Sequence, residues 1–372
     1  MTAKDTTYIK PPMEVLYAKE LAALAENDKG NKKPEGWLLS PKSIKTFILG
    51  SKAALKLGKE KVEIEQKFYG DDSLVERCII TLAGNRGLML VGEPGTAKTM
   101  LSELLSAAIS GFTTNTVQGT AGTTDDNIKY SWNYALLLAK GPVPEALVPG
   151  PLYTGMAEGK ITRFEEITRC PSEVQDALIS VMSDKVLSVP EFGEAGFIFA
   201  KPGFNIIATA NIRDKGVNEM SSALKRRFNF ETVNPINSVK LESAIISRQA
   251  GGMLHAIDEK IDIDEDIVEL LATTFNELRE GVSREGSKIE SPSSVMSTAE
   301  AVSLYHQSAL TAYYYEADIS IDTLVQNIST TVLKESKDDL PRLRNYFNTI
   351  IKARAEASEL WARFYEARKW IK

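Results

Sequence analysis

The sequence predicts an α/β protein in which a parallel sheet lies between helices, with a short helical extension before it and an all-helical domain after it. Three observations lead there. The runs Gly87-Leu88-Met89-Leu90-Val91 and Phe204-Asn205-Ile206-Ile207-Ala208 are short and mostly apolar, as strands buried in a parallel sheet are. After the first run Leu101, Leu104, Leu105, Ala108 and Ile109 recur at helical spacing, and Gly111 supplies a left-handed stop. Residues 236–372 carry helical periodicity almost throughout.

With 372 residues the chain has room for two or three domains and a sizeable core. A net charge of −6 weighs against a protein that coats nucleic acid. Cys78 and Cys170 stand far apart outside any C-x-x-C spacing, and His255 and His306 are the two imidazoles, which disfavours a structural zinc site or a disulfide framework. Residues 1–12 lack the apolar centre of a signal peptide and no run reaches membrane-spanning length, so a soluble, cytoplasmic protein is expected.

Within residues 1–63, the extension, Met13, Leu16, Tyr17, Leu21 and Leu24 mark a helix over 13–26. A polar linker follows at 27–36. Ser40-Pro41 then opens a second helical stretch carrying Ile44, Phe47, Ile48 and Leu55. The α/β domain is placed at 64–235 and begins with Phe68-Tyr69-Gly70 before a helix from Ser73 to Ala83. Phe68 and Tyr69 are either contacts to a nucleotide base or plain core.

The strand at 87–91 breaks into Gly92-Glu93-Pro94-Gly95-Thr96-Ala97-Lys98-Thr99-Met100, a glycine-rich loop that opens a helix. Gly92 and Gly95 let the backbone aim its N–H groups at phosphate oxygens, beside the positive end of the helix. Lys98 is placed to reach the β- and γ-phosphates and the Thr99 hydroxyl to ligate Mg²⁺. Ala97 stands where the motif's last glycine is expected, and its side chain calls for a right-handed, helical backbone there.

Asn115-Thr116-Val117-Gln118-Gly119 reads as the next strand. Residues 128–159 then interrupt the strand–helix alternation with a helical insertion flanked by Gly and Pro, the expected surface for reaching a substrate. A strand at 160–164 ends in Glu165 and Glu166. One crossover after a phosphate loop, this puts Glu165 near the metal, acting through water, and Glu166 near the attacking water as base. The usual first acid is Asp, so Glu165 is one methylene longer. Val174, Leu178, Ile179 and Met182 mark a helix, and residues 186–199 a hairpin with Gly193 and Gly196 near its tip. Asn211 ends the strand that begins at Phe204, either orienting water against the γ-phosphate or serving as an ordinary cap. Arg226 and Arg227 follow the helix at 218–225, where they suit either an arginine finger for a neighbour's phosphates or a solvated helix end.

Phosphate loop, Phe164-Glu165-Glu166, hairpin, Ala208-Thr209-Ala210-Asn211 and Leu224-Lys225-Arg226-Arg227-Phe228, in this order, resemble the MoxR-type AAA+ ATPases. Thr168-Arg169-Cys170-Pro171 and Gly150-Pro151-Leu152-Tyr153 add to the resemblance. It implies a P-loop AAA+ core with a helical lid, ATP and Mg²⁺ as cofactors, assembly into a ring of about six subunits, and remodelling of client proteins, typically ones with a von Willebrand factor A domain. Carried over residue by residue, it makes Lys98 and Thr99 the nucleotide and Mg²⁺ ligands, Glu166 the base, Asn211 the first sensor, and Arg226 or Arg227 the finger.

The lid, 236–372, is expected to hold helices at Ser238–Leu254, Asp264–Arg279, Val295–Glu316 and Leu340–Trp370, with Ser291-Pro292 and Pro341 as start signals. Ser293 and Ser294 stand where the family carries a second-sensor Arg, with Arg284 as a substitute candidate. A nucleic-acid motor and a nucleotide-gated scaffold with weak hydrolysis are the alternatives to a protein remodeller.

Overall fold

The computed structural model describes residues 9–211, 218–294, 296–315, 319–333, 336 and 338–371. The chain divides into two compact units: residues up to Gly92 with Ala97–Val233, and Glu93–Thr96 with Asn234 onward.

In the first unit five parallel strands form one sheet: β1 (Gly87–Gly92), β2 (Thr116–Gln118), β3 (Ile161–Glu165), β4 (Asn205–Asn211) and β5 (Phe228–Thr232). Their order is β5-β1-β4-β3-β2. Side chains alternate across the sheet, so β1 sends Leu88 and Leu90 into one core and Met89 into the other. The first core takes α1 (Lys98–Ser110) and the helix Asp72–Ala83; the second takes Pro151–Glu158 and the pair Ser172–Asp176 and Leu178–Asp184. Both faces are covered, which is why the strands read as apolar runs.

The extension shares the first core through Leu24, Trp37, Ile44, Phe47 and Ile48. It is less helical than expected. Helices Met13–Leu16 and Ala18–Asn27 are separate, broken at Tyr17, and the next helix, Pro41–Leu49, stops at Gly50, whose φ of 87° suits glycine alone. Leu55 therefore falls in an antiparallel hairpin, Leu55–Leu57 with Glu60–Val62. Lys67 fastens the extension: its buried ammonium pairs with Glu20 and sits over the rings of Tyr17 and Phe47.

Within the insertion, strands Tyr130–Trp132 and Leu147–Pro149 pair antiparallel around the helix Tyr134–Lys140. The hairpin at 186–199 forms as read, with Val186 opposite Phe199. Glu191 at its tip accepts from the Tyr130 hydroxyl at 3.0 Å and from Trp132 Nε1 at 3.3 Å, and Phe192 meets Trp132 edge-on at 5.5 Å. The two protrusions are thus tied together. The helix marked by Val174 to Met182 is broken at Ala177.

The second unit is all-helical: α2 (Val239–His255), α3 (Glu265–Glu280), α4 (Thr298–Tyr314), α5 (Ile321–Val332), α6 (Asp339–Tyr346) and α7 (Glu359–Glu366). Val295 and Glu316, the expected bounds of one helix, lie outside the described residues. The helix starts not at Ser291-Pro292 but at Ser297, which forms a reciprocal capping box with Glu300. The long terminal helix is also corrected. After α6 the chain passes through a π-turn at Phe347–Ile351, breaks at 356–358 and restarts as α7. The break lets Phe364 fold back onto Phe347, with ring centroids 4.8 Å apart. Ser293 donates its amide and hydroxyl hydrogens to Asp339, and Arg284 is held by Glu269 and Thr273.

A buried cluster closes this unit. Glu277, fully enclosed, accepts from Arg354 and from the Tyr346 hydroxyl, and Arg354 also grips Glu285. Hydrogen bonding from Arg354 lowers the Glu285 carboxyl from its ordinary 4.5 to about 2. A depressed acid stabilises the fold above its unfolded value and loses that contribution as pH falls. Urea midpoints should therefore drop between pH 4.5 and 2, and Glu285→Gln should flatten the drop. An equally steep drop in the variant would contradict the assignment. Among the described residues no helix is long and apolar enough to cross a membrane.

Candidate functional site

The carboxyl ends of β1, β4 and β3 lie side by side, because β4 sits between the other two. Asn211, the last residue of β4, is opposite Gly92, the last of β1. Parallel sheets collect their ligands at these ends. The Lys98 ammonium is buried and donates to the Gly92 carbonyl at 3.1 Å. Thr99 opens the first turn of α1 and stays exposed, while Met100 packs against the first core. In the loop, the Thr96 hydroxyl donates to the Glu93 carbonyl at 3.0 Å, Pro94 is half-buried and Gly95 has φ of 75°.

One expectation fails here. Ala97 is left-handed, with φ 67° and ψ 21°. The turn into α1 imposes this conformation whatever residue occupies it, which explains why the motif ordinarily uses glycine. An L-residue there costs about 1–2 kcal/mol. Ala97→Gly should raise stability by about 0.5–1 kcal/mol in urea unfolding, since glycine's extra freedom when unfolded offsets part of the relief. A lowered midpoint would contradict the strain.

Glu165 ends β3 and is buried. Its Oε2 accepts from the hydroxyls of Thr99 at 2.9 Å and Thr209 at 2.8 Å, and its Oε1 from Ser102 at 2.8 Å and Arg163 at 2.6 Å. Burial works against its charge, but Arg163 and the hydroxyls of Ser102 and Thr209 outweigh it, and the carboxyl lies below the usual range. Glu166 turns away in a left-handed conformation, φ 54°, with its amide donating to Thr209 Oγ1 at 3.0 Å and its carboxylate 2.7 Å from Arg169 Nε. Neighbouring acids therefore face different ways. Gly119 permits this corner, since a Cβ there would lie 2.3 Å from the Glu166 carbonyl oxygen.

Three residues of this constellation, Arg163, Ser102 and Thr209, escaped the sequence reading. Period-2 alternation puts Arg163 on the same face as Glu165, and Ser102 is one turn along α1 from Thr99, so a strand–helix face could have revealed two of them. Of the aromatic candidates, Phe68 is buried in the first core, whereas Tyr69 is half-buried with its hydroxyl on the Gln66 carbonyl at 3.3 Å. Arg226 is exposed, and no side-chain partner is recorded for it among the described residues. Arg227 is tied to Ser183 and to the Ala223 carbonyl. No group of three or more His, Cys, Asp or Glu among the described residues is placed to hold a metal by itself.

A P-loop opening the helix after β1, an acid pair at the end of β3 and a polar amide at the end of the strand between them define an AAA+ ATPase core. Residues 87–228 match the AAA domain of the dynein-related subfamily, and residues 240–372 the C-terminal domain of YehL-like AAA+ ATPases. The chain belongs to the YehL-like family: YehL of Escherichia coli strain K12 is 47% identical over 371 residues, covering 99% of each chain. Similarity to chaperone MoxR1 of Mycobacterium tuberculosis is 29% over 188 residues, 50% of this chain and 46% of that one, which bears out the MoxR-type resemblance. The structure of a RuvB point variant from Thermotoga maritima is 17% identical, covers 81% of this chain and 87% of its own, and has a TM-score of 0.44.

Proposed function

We propose that this ATPase uses Mg²⁺-ATP hydrolysis to remodel a partner protein, working as a ring of about six subunits in the cytoplasm. The observation that carries the nucleotide chemistry is the bond between Thr99 and Glu165, which couples the phosphate loop to the acid strand. By donating its proton to Glu165, the Thr99 hydroxyl keeps its lone pairs for a cation. Mg²⁺ needs few protein ligands when phosphates and waters supply the rest, so these residues fit the ion. Bound Mg²⁺ would offset charge on the β- and γ-phosphates.

In this reading the loop from Gly92 to Met100 cradles the phosphates, Lys98 moves from the Gly92 carbonyl to the γ-phosphate, and Tyr69 meets the base. Glu166 takes the proton of the attacking water once its carboxylate leaves Arg169. Asn211 holds that water. Arg226, exposed and unpaired among the described residues, is the finger offered to a neighbouring subunit, and Arg227 fixes its helix end. The insertion and hairpin support a protein client: Tyr134, Leu138, Phe197 and Phe199 are 67%, 89%, 51% and 70% exposed on two protrusions joined through Glu191. A client with a von Willebrand factor A domain is the expectation from the family.

Purified protein should hydrolyse ATP, and Lys98→Ala should lower turnover by about 10²–10³-fold, the cost of one preorganised donor. Phosphate release unchanged in the variant would sink the site assignment.

A further inference from the structure

Arg163 lies at the centre of β3, one strand in from the sheet edge, paired in the ladder with Thr116 on one side and Ile207 on the other, and is 3% exposed. A guanidinium at that depth is costly unless its donors are used. Three of its five N–H groups are: Nε donates to Ser102 Oγ at 3.0 Å, Nη1 to the Thr113 carbonyl at 2.9 Å and Nη2 to Glu165 Oε1 at 2.6 Å, and the Glu103 carboxylate lies 3.8 Å from Nη2. Glu165 in turn faces two donor groups on each oxygen, Arg163 and Ser102 on one, Thr99 and Thr209 on the other, the single Ser102 proton being shared with the Thr99 carbonyl, also at 2.8 Å. A carboxylate offers about four acceptor sites, so each faces a donor group. A cation could take one only by displacing a donor.

The extra methylene of Glu165 now has a reason. It carries the carboxylate far enough to meet Arg163 and Ser102 with one oxygen while keeping Thr99 and Thr209 on the other. An Asp in its place would have to release one pair or the other. We propose that Arg163 is a positioning residue for the metal of the bound nucleotide: it fixes Glu165 so that the carboxylate orients the Thr99 hydroxyl instead of ligating the cation. Arg163 and Glu165 then function only as a matched pair. This rests on the nucleotide-site reading above and deepens it. The ligand concerned is a nucleoside triphosphate carrying a divalent cation, which the outward lone pairs of Thr99 meet and the neutralised Glu165 does not.

The test uses full-length wild type, Arg163→Met, Glu165→Asp, the double variant and Arg163→Lys. Two quantities are read: the thermal midpoint of the nucleotide-free protein in EDTA, and the gain in affinity for a fluorescent N-methylanthraniloyl ATP when Mg²⁺ replaces EDTA. Each single substitution should cut the Mg²⁺-dependent gain about tenfold, the usual cost of losing an outer-shell partner, and the double variant should stay within about threefold of wild type. Arg163→Met should lower the midpoint by about 5–10 °C, and Glu165→Asp on top of it should restore part of that. A purely structural role would move the midpoint and leave the Mg²⁺ gain alone. Should Arg163→Met fail to fold, Arg163→Lys decides, because it keeps the charge but cannot reach Ser102 and Thr113 together; its gain should fall at least about threefold. Wild-type gain in Arg163→Lys, or single effects that multiply in the double variant, would overturn the pair. If wild type itself binds no nucleotide, the site reading falls and takes the pair with it; if wild type binds and the substitutions multiply, only the pair falls.

Discussion

Glu166→Gln should abolish steady-state turnover, by about 10²–10⁴-fold, while leaving ATP affinity within a few-fold of wild type. The contrast follows from geometry. The Glu166 amide is spent on Thr209 and its side chain is paired with Arg169 at the left-handed corner of the chain. An amide of the same size keeps that corner and the buried Glu165 beside it, but cannot accept a proton. The variant should therefore accumulate with ATP bound, and under the proposed remodelling function proteins co-purifying with it in ATP and released in ADP are the expected clients. Radiolabelled ATP retention on a spin column, paired with phosphate release, checks both halves. Loss of binding together with turnover would mean that Glu166 supports the loop and is not the base.

Arg226→Ala should cost about 10³-fold in turnover with no loss of stability. The side chain follows a four-residue helix, Ser222–Lys225, is exposed, and has no recorded partner among the described residues. Arg227 offers the control, since its guanidinium closes on Ser183 and the Ala223 carbonyl, and its backbone carbonyl accepts from Gly87 at the start of β1. Arg227→Ala should lower the thermal midpoint, whereas Arg226→Ala should leave it unchanged. Equal turnover losses accompanied by equal destabilisation would remove the finger from the account.

The placement of the proposed site is legible in the sequence because phosphate loops use consecutive residues. Gly92 to Thr99 fall on one strand–loop–helix, as their spacing predicts, and Glu165 and Glu166 fall at the end of β3. Ala97 misled because residue preference was read in place of backbone demand: the corner is left-handed and the alanine bears the strain. What surrounds Glu165 was hidden for a different reason. Arg163, Ser102 and Thr209 come from β3, α1 and β4: strand alternation sets Arg163 beside Glu165 and helical spacing sets Ser102 beside Thr99, but only sheet register brings Thr209 to the same carboxylate. In the helical unit, α5 carries Ile321, Leu324, Val325, Ile328 and Val332 at plain helical spacing and was nonetheless missed, while Ser358 hid a break inside a charged stretch that keeps helical character on both sides. A break of this kind is set by Phe364 finding Phe347, a contact no local pattern announces.

The central claim is that one triphosphate is held by Lys98 and Thr99, attacked with help from Glu166 and completed by Arg226 of an adjoining subunit. Co-expressing Glu166→Gln and Arg226→Ala chains under different tags, and purifying through both, gives mixed assemblies in which each mutant lacks what the other supplies. If the arginine acts across subunits, random mixing should restore about one quarter of wild-type turnover, because one contact in four joins an intact acid to an intact arginine. Turnover no higher than that of the two single variants would contradict it.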